Sequence, residues 1–139
     1  DTPTEGLTIG DKAPAFKICG EKQLIDLKDL KGKYVLLSFW ASYYASARKQ
    51  NASLGHATSK MNNIEMVSVS FDEYKSIFHE TIKKDRITTT HCFVELDGEH
   101  SDLYQTYRLN KGFKNYLLDE NGVIIAKDIN VKQLSSYLN

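Results

Sequence analysis

The apolar positions of this chain fall into two contrasting patterns. Tyr34-Val35-Leu36-Leu37-Ser38-Phe39-Trp40 is a nearly unbroken apolar run of strand length, which predicts a central strand buried on both faces. Ile64 to Phe71 alternates instead, with Val67, Val69 and Phe71 on one side, and predicts a second strand. Between them, Ala45 to about Asn62 is rich in Ala, Ser, Lys, Arg, Gln and Met without proline, the composition of a helix that Gly55 is placed to interrupt. After the second strand, Asp72 offers an N-cap. Tyr74, Ile77, Phe78 and Ile82 follow at helical spacing, so an amphipathic helix is expected to about Lys84.

The flanks are shorter and more punctuated. Phe16 and Ile18, then Gly20-Glu21-Lys22, then the alternating Gln23 to Leu27 predict a small N-terminal hairpin. Cys92 to Leu96 reads as a short strand and Ser101 to Tyr107 as a short helix capped by Ser101. Tyr116-Leu117-Leu118-Asp119 and Val123-Ile124-Ile125-Ala126 flank an Asn121-Gly122 pair, the strongest hairpin signal in the chain. Asn130 caps a closing helix whose stripe is Val131, Leu134, Tyr137 and Leu138. Right-handed crossovers make the two long strands parallel neighbours, and the late hairpin adds antiparallel ones. The expected fold class is α/β, a mixed central sheet with helices on both faces and an N-terminal β-hairpin extension. Residues 1–7 read as a flexible lead-in and 8–139 as one domain.

Composition narrows the function. The chain has 139 residues, and its 18 basic side chains balance its 18 acidic ones, so it lacks the field that holds a phosphate backbone; no nucleic-acid partner is expected. No apolar segment reaches the ~18 residues of a membrane span. Cys19 and Cys92 are the only cysteines, and Pro3 and Pro14 the only prolines. That spacing excludes Cys-x-x-Cys and cysteine-rich zinc motifs. His56, His79, His91 and His100 form no ligand spacing either, so neither metal nor cofactor is expected. The chain begins at Asp1, which fits a trimmed N-terminus and leaves a leader, a lipid anchor or a further domain open.

Phe39-Trp40-Ala41-Ser42-Tyr43-Tyr44-Ala45-Ser46-Ala47-Arg48-Lys49 resembles the active-site segment of thioredoxin-like thiol-disulfide oxidoreductases, the branch that includes alkyl hydroperoxide reductase, thiol-specific antioxidant and TlpA-like proteins. That segment usually reads F-W-A-[ST]-W-C-x-P-C-[RK]-[KQ]. Gly10-Asp11-Lys12-Ala13-Pro14-Ala15-Phe16 resembles the family's opening and Asp26 to Lys33 its approach to the central strand. Tyr107 and Asn115 to Gly122 resemble its late segments. The resemblance covers about residues 8–138 and implies a thioredoxin fold, thiol-disulfide or peroxidase chemistry, and an extracytoplasmic bacterial setting.

The departures fall on the chemistry. The family's nucleophilic cysteine aligns with Tyr44, its resolving cysteine with Ala47 and the intervening proline with Ser46. Thiol-disulfide exchange is thiolate attack on sulfur, and neither aligned position can form a thiolate. The family's cis-proline aligns with Phe113, after Gly112; because a cis bond before a non-proline residue costs ~2.5–4 kcal/mol, a trans loop is expected. Gln50 stands where the cytochrome-maturation branch often has a proton-handling glutamate, and an amide cannot take that role.

Two readings of function follow. In the preferred one the chain has lost redox chemistry, has no catalytic residue, and binds a partner, a polypeptide being the natural candidate, through Trp40, Tyr43, Tyr44 and Phe113 on the former active-site face. These rings alternatively fill space left by the dithiol: a Tyr44 more than half exposed favours recognition, a packed one filling. The rival reading retains weak oxidoreductase or peroxidase activity through Cys92 in Thr89-Thr90-His91-Cys92. Against it, a strand would turn His91 and Cys92 to opposite faces. Whether Cys19 and Cys92 pair, and the oligomeric state, stay open.

Overall fold

The computed structural model describes residues 3–138; residues 1 and 2 of the expected lead-in, and residue 139, lie outside the described residues. Pairing begins at Thr4, whose carbonyl accepts from the Lys12 backbone N–H, while the Gly6 N–H donates back to the Lys12 carbonyl. The segment ahead of Leu7 is thus tied to the body earlier than its polar composition suggests.

Two short strands, β1 (Lys17–Cys19) and β2 (Leu24–Asp26), form the N-terminal antiparallel hairpin, with Ile18 opposite Ile25. Asp26 caps a 3-10 turn at Leu27–Leu30. The main sheet is built from β3 (Tyr34–Trp40), β4 (Ile64–Ser70), β5 (His91–Val94), β6 (Asn115–Leu118) and β7 (Ile124–Lys127), in spatial order β5-β4-β3-β6-β7. The β3–β4 and β4–β5 pairs are parallel, whereas β6 runs antiparallel to β3 and β7 to β6. The crossovers carry α1 (Ala45–Thr58) between β3 and β4, α2 (Lys75–Lys84) between β4 and β5, and α3 (Asp102–Thr106) before β6; α4 (Val131–Leu138) closes the chain.

Strand parity divides the core into two layers. Val35, Leu37 and Phe39 of β3, Val67 and Val69 of β4, Phe93 of β5 and Tyr116 and Leu118 of β6 face the hairpin, the 3-10 turn and α3. The opposite layer sets Leu36, Met66, Leu117 and Ala126 against Leu54 of α1 and Leu134 of α4. Trp40 meets Phe78 of α2 on that side at 6.3 Å between ring centroids. The expected mixed sheet, helices on both faces and hairpin extension are all present.

Three local differences have physical causes. Helix α1 ends at Thr58, because the Ser59, Lys60 and Met61 N–H groups close terminal turns onto Gly55, Ala57 and Thr58. Gly55 does not interrupt α1; it is buried where a Cβ would stand 2.9 Å from Thr89 Oγ1, so its smallness serves close packing. Asp72 is not the cap of α2, which starts after Tyr74, because its carboxylate is engaged elsewhere.

Candidate functional site

The entry to α1 is fixed from below. Asp72 is 2% exposed. Its carboxylate accepts from the Ser42 backbone N–H (2.9 Å), the Ser42 hydroxyl (2.6 Å) and the Ser70 hydroxyl (2.6 Å). A buried carboxylate is tolerated when donors surround it. These donors join the end of β4 to the loop leaving β3, so the backbone just ahead of Tyr43 has a defined path. Tyr44 occupies the N-cap position of α1 with extended backbone angles, and its side chain makes no capping bond. In a thiol protein this helix terminus would stabilise a thiolate; here Tyr44-Ala45-Ser46-Ala47 stand around it.

Aromatic rings cover the adjoining surface. Tyr44 meets Phe113 edge to face at 5.3 Å, Phe113 stacks on Phe71 at 5.9 Å with planes 18° apart, and Tyr104 closes on both at 6.2 and 5.6 Å. Phe113 reaches this position because Gly112 has φ 119° and ψ 148°, a region open in practice only to glycine. All peptide bonds among the described residues are trans, including the one before Phe113. Tyr44 is 43% exposed and Tyr43 73%. Tyr44 thus falls below the half-exposed mark and is partly packed, while Tyr43 stands clear.

Trp40 does not join this group, and its expected place on the surface patch is corrected. It is fully buried, and its indole N–H donates to Ser68 Oγ at 2.8 Å. Parity explains this, because Trp40 shares a strand face with Leu36, toward α1 and α2, while Phe39 shares the other with Phe71 and Tyr116. Below it, Asn51 Oδ1 accepts from the Ser38 and Ser68 hydroxyls at 2.8 and 2.7 Å.

Two cavities open beside the helix terminus. One, of about 560 Å3, runs from Ser42 and Tyr43 past Asp72, Glu73 and Tyr74 to Ile77 on α2. The other, of about 380 Å3, is bordered by Ser46, Ala47, Gln50 and Phe113. Gln50 donates its amide N–H to the Ile129 carbonyl at 2.7 Å, a bond that an ionised glutamate could not make. Arg48 reaches back to Asp85 in a two-bond pair at 2.8 and 2.9 Å, and that hydrogen bonding raises its pKa further. Partial burial, then Tyr104 and the nearby Asp72, Glu73 and Glu99 carboxylates, push the Tyr43 phenol upward.

The thiols lie elsewhere. Cys92 is on β5 at the edge of the sheet, half-buried, with its Sγ 3.9 Å from Ser68 Oγ. Burial pushes its thiol up to about 11, against a weaker downward pull from the Ser68 hydroxyl. Cys19 is exposed on the hairpin, and both cysteines are free. His91 faces away from Cys92, toward Gln23 and Glu65. Among the described residues no group of three or more His, Cys, Asp or Glu side chains is gathered to hold a metal ion, and no helix is long and apolar enough to cross a membrane.

Phe71, Asp72, Glu73, Tyr74 and Tyr104 were not singled out by the sequence as site residues. Phe71 carried a strand signal, Tyr74 a helix signal and Asp72 a capping signal. The return of β4 beside β3 brings Phe71 to Phe113 and Asp72 to Ser42, and α3 adds Tyr104.

The family model described as AhpC/TSA matches residues 9–127. The thiol-disulfide oxidoreductase ResA of Bacillus cereus is 27% identical over 96% of this chain and 79% of its own length. A thioredoxin-like protein from Parabacteroides distasonis superposes with TM-score 0.85 at 39% identity, over 99% of this chain and 98% of that one. A thiol-disulfide oxidoreductase from Bacteroides fragilis gives TM-score 0.75 at 27% identity, over 92% and 97%. The sheet order, the hairpin extension and the run of matched residues make this a thioredoxin fold, and the chain belongs to the AhpC/TSA family.

Proposed function

We propose that this chain is a redox-inactive member of its family that binds polypeptide through the face where its relatives carry their dithiol. The observation carrying this reading is the start of α1, where Tyr44 and Ala47 stand at the two cysteine positions and Tyr44 packs on Phe113 in place of a proline loop. Tyr43, which stands clear, and the part of Tyr44 that its packing leaves uncovered supply rigid aromatic area of the kind enriched at binding surfaces. The resemblance to exported thiol-disulfide oxidoreductases supports an extracytoplasmic bacterial location.

An insulin-reduction assay and a peroxide-consumption assay, each on wild type and Cys92→Ala, test the loss of redox activity. No turnover above buffer is expected in either protein. Turnover that disappears in Cys92→Ala would overturn the proposal in favour of a cysteine peroxidase or reductase. The thiol of Cys92 speaks against that rival: with a pKa of about 11 it is almost entirely protonated at neutral pH, and the thiolate is the reactive form.

A further inference from the structure

The 560 Å3 groove beside Tyr43 has the chemistry of a cation site with an apolar floor. Tyr43 and Tyr74, 73% and 67% exposed, flank it, and Ile77 presents a half-exposed aliphatic side chain between them. The cations already lining it are committed: Arg48 to Asp85 through two hydrogen bonds, and Lys84 to Glu80 at 3.2 Å. What remains is negative. Asp72 accepts hydrogen bonds from neutral donors and lies in the field of the Arg48 guanidinium, whereas among the described residues Glu73 has no ion-pair partner. Burial and Tyr104 are the main causes that raise the Tyr43 phenol, and the Asp72, Glu73 and Glu99 carboxylates add to them.

Resting on the binding reading above, we infer that the groove takes a lysine or arginine side chain of the bound polypeptide, its charged head toward Glu73 between Tyr43 and Tyr74 and its methylene stem over Ile77. Tyrosine faces attract cations through their ring quadrupole. A long basic side chain also pairs an apolar stem with a charged tip, as this groove pairs Ile77 with carboxylates. Tyr43 lines the groove and directly precedes Tyr44, which packs on Phe113, so a chain laid along the Tyr44 surface has the groove next to it, which favours polypeptide over a free amine.

The test is a heteronuclear NMR titration with capped pentapeptides of sequence Gly-Ser-X-Ser-Gly, X being lysine, arginine, norleucine or glutamate. The lysine and arginine peptides are expected to shift the amides of Tyr43, Glu73, Tyr74 and Ile77 and to bind roughly tenfold more tightly than the norleucine peptide. Glu73→Gln, an isosteric surface change, and Tyr74→Ala should each weaken binding by about threefold or more. Equal binding of norleucine and lysine peptides at the groove would overturn the basic-residue assignment and leave the polypeptide-binding reading standing. Free spermidine binding as tightly as the lysine peptide would overturn the polypeptide occupant. The absence of groove shifts with every peptide would refute the site, independently of the redox assays.

Discussion

Replacing Asp72 with alanine removes the acceptor that joins Ser42 to Ser70, and its cost can be worked through. Three hydrogen bonds to a charged acceptor are lost, each worth about 1.5–3 kcal/mol. Two offsets reduce the sum. Ser42 is partly exposed, so water can replace its two bonds, and the folded state no longer holds a desolvated carboxylate, which itself costs several kcal/mol. Ser70 is fully buried and its hydroxyl loses this partner outright, a penalty of ~1–3 kcal/mol. The net expectation is a loss of about 2–4 kcal/mol, read as a fall in the urea midpoint at unchanged slope. A double-mutant cycle with Ser42→Ala should show coupling above ~0.5 kcal/mol, because the two residues share bonds. A loss under ~1 kcal/mol with no coupling would refute the view that this carboxylate organises the entry to α1.

Three further outcomes are expected. Gly112→Ala should destabilise by about 1–3 kcal/mol, since alanine resists φ 119°, and should reduce the near-ultraviolet dichroism of the rings around Phe113; unchanged thermal stability would contradict this. Gln50→Glu should be destabilising at neutral pH, because a carboxylate cannot donate to the Ile129 carbonyl. The deficit should shrink as pH falls and the introduced carboxyl regains a proton, which denaturation at pH 4 and pH 7 checks. The raised Cys92 thiol carries the same sign at a more alkaline pH. Between its ordinary value of 9.0 and about 11 the unfolded chain releases the proton while the folded chain keeps it. Stability should therefore decline across that window in wild type by up to ~2–3 kcal/mol more than in Cys92→Ala; parallel pH profiles would count against a buried thiol.

The parts of the fold that sequence revealed are those whose signals are local. Tyr34–Trp40 is legible because an unbroken apolar run has few other uses, and the late hairpin because Asn121-Gly122 supplies the residue that tolerates φ 82°. Asn130 was equally readable, since its side chain and that of Gln133 exchange bonds with each other's backbone N–H. Asp72 misled because acceptor residues before an apolar periodic segment usually cap it. The donors it serves instead include Ser42, thirty positions away. Trp40 was drawn to the surface by its neighbourhood to the altered motif, although parity with Leu36 already assigned it to the covered face. The stacking of Phe113 on Phe71 and Tyr104 joins β4, α3 and the loop before β6; no short-range pattern encodes such a meeting.

The polar anchor beneath α1 has a consequence for how this surface can change over generations. Asn51 is one turn behind Ala47 and two behind Tyr44, and it fastens the helix to β3 and β4 through Ser38 and Ser68. Asn51 is joined in this by Leu54 in the core, by Arg48 on Asp85 and by Gln50 on the Ile129 carbonyl, so the anchors of the helix body lie outside residues 43–47. Side-chain changes at 43–47 therefore leave the anchors of the helix body in place. A scaffold organised this way can exchange a reactive tip for a passive one by substitution at the tip alone, and its descendants are free to acquire new surface properties while inheriting the same frame.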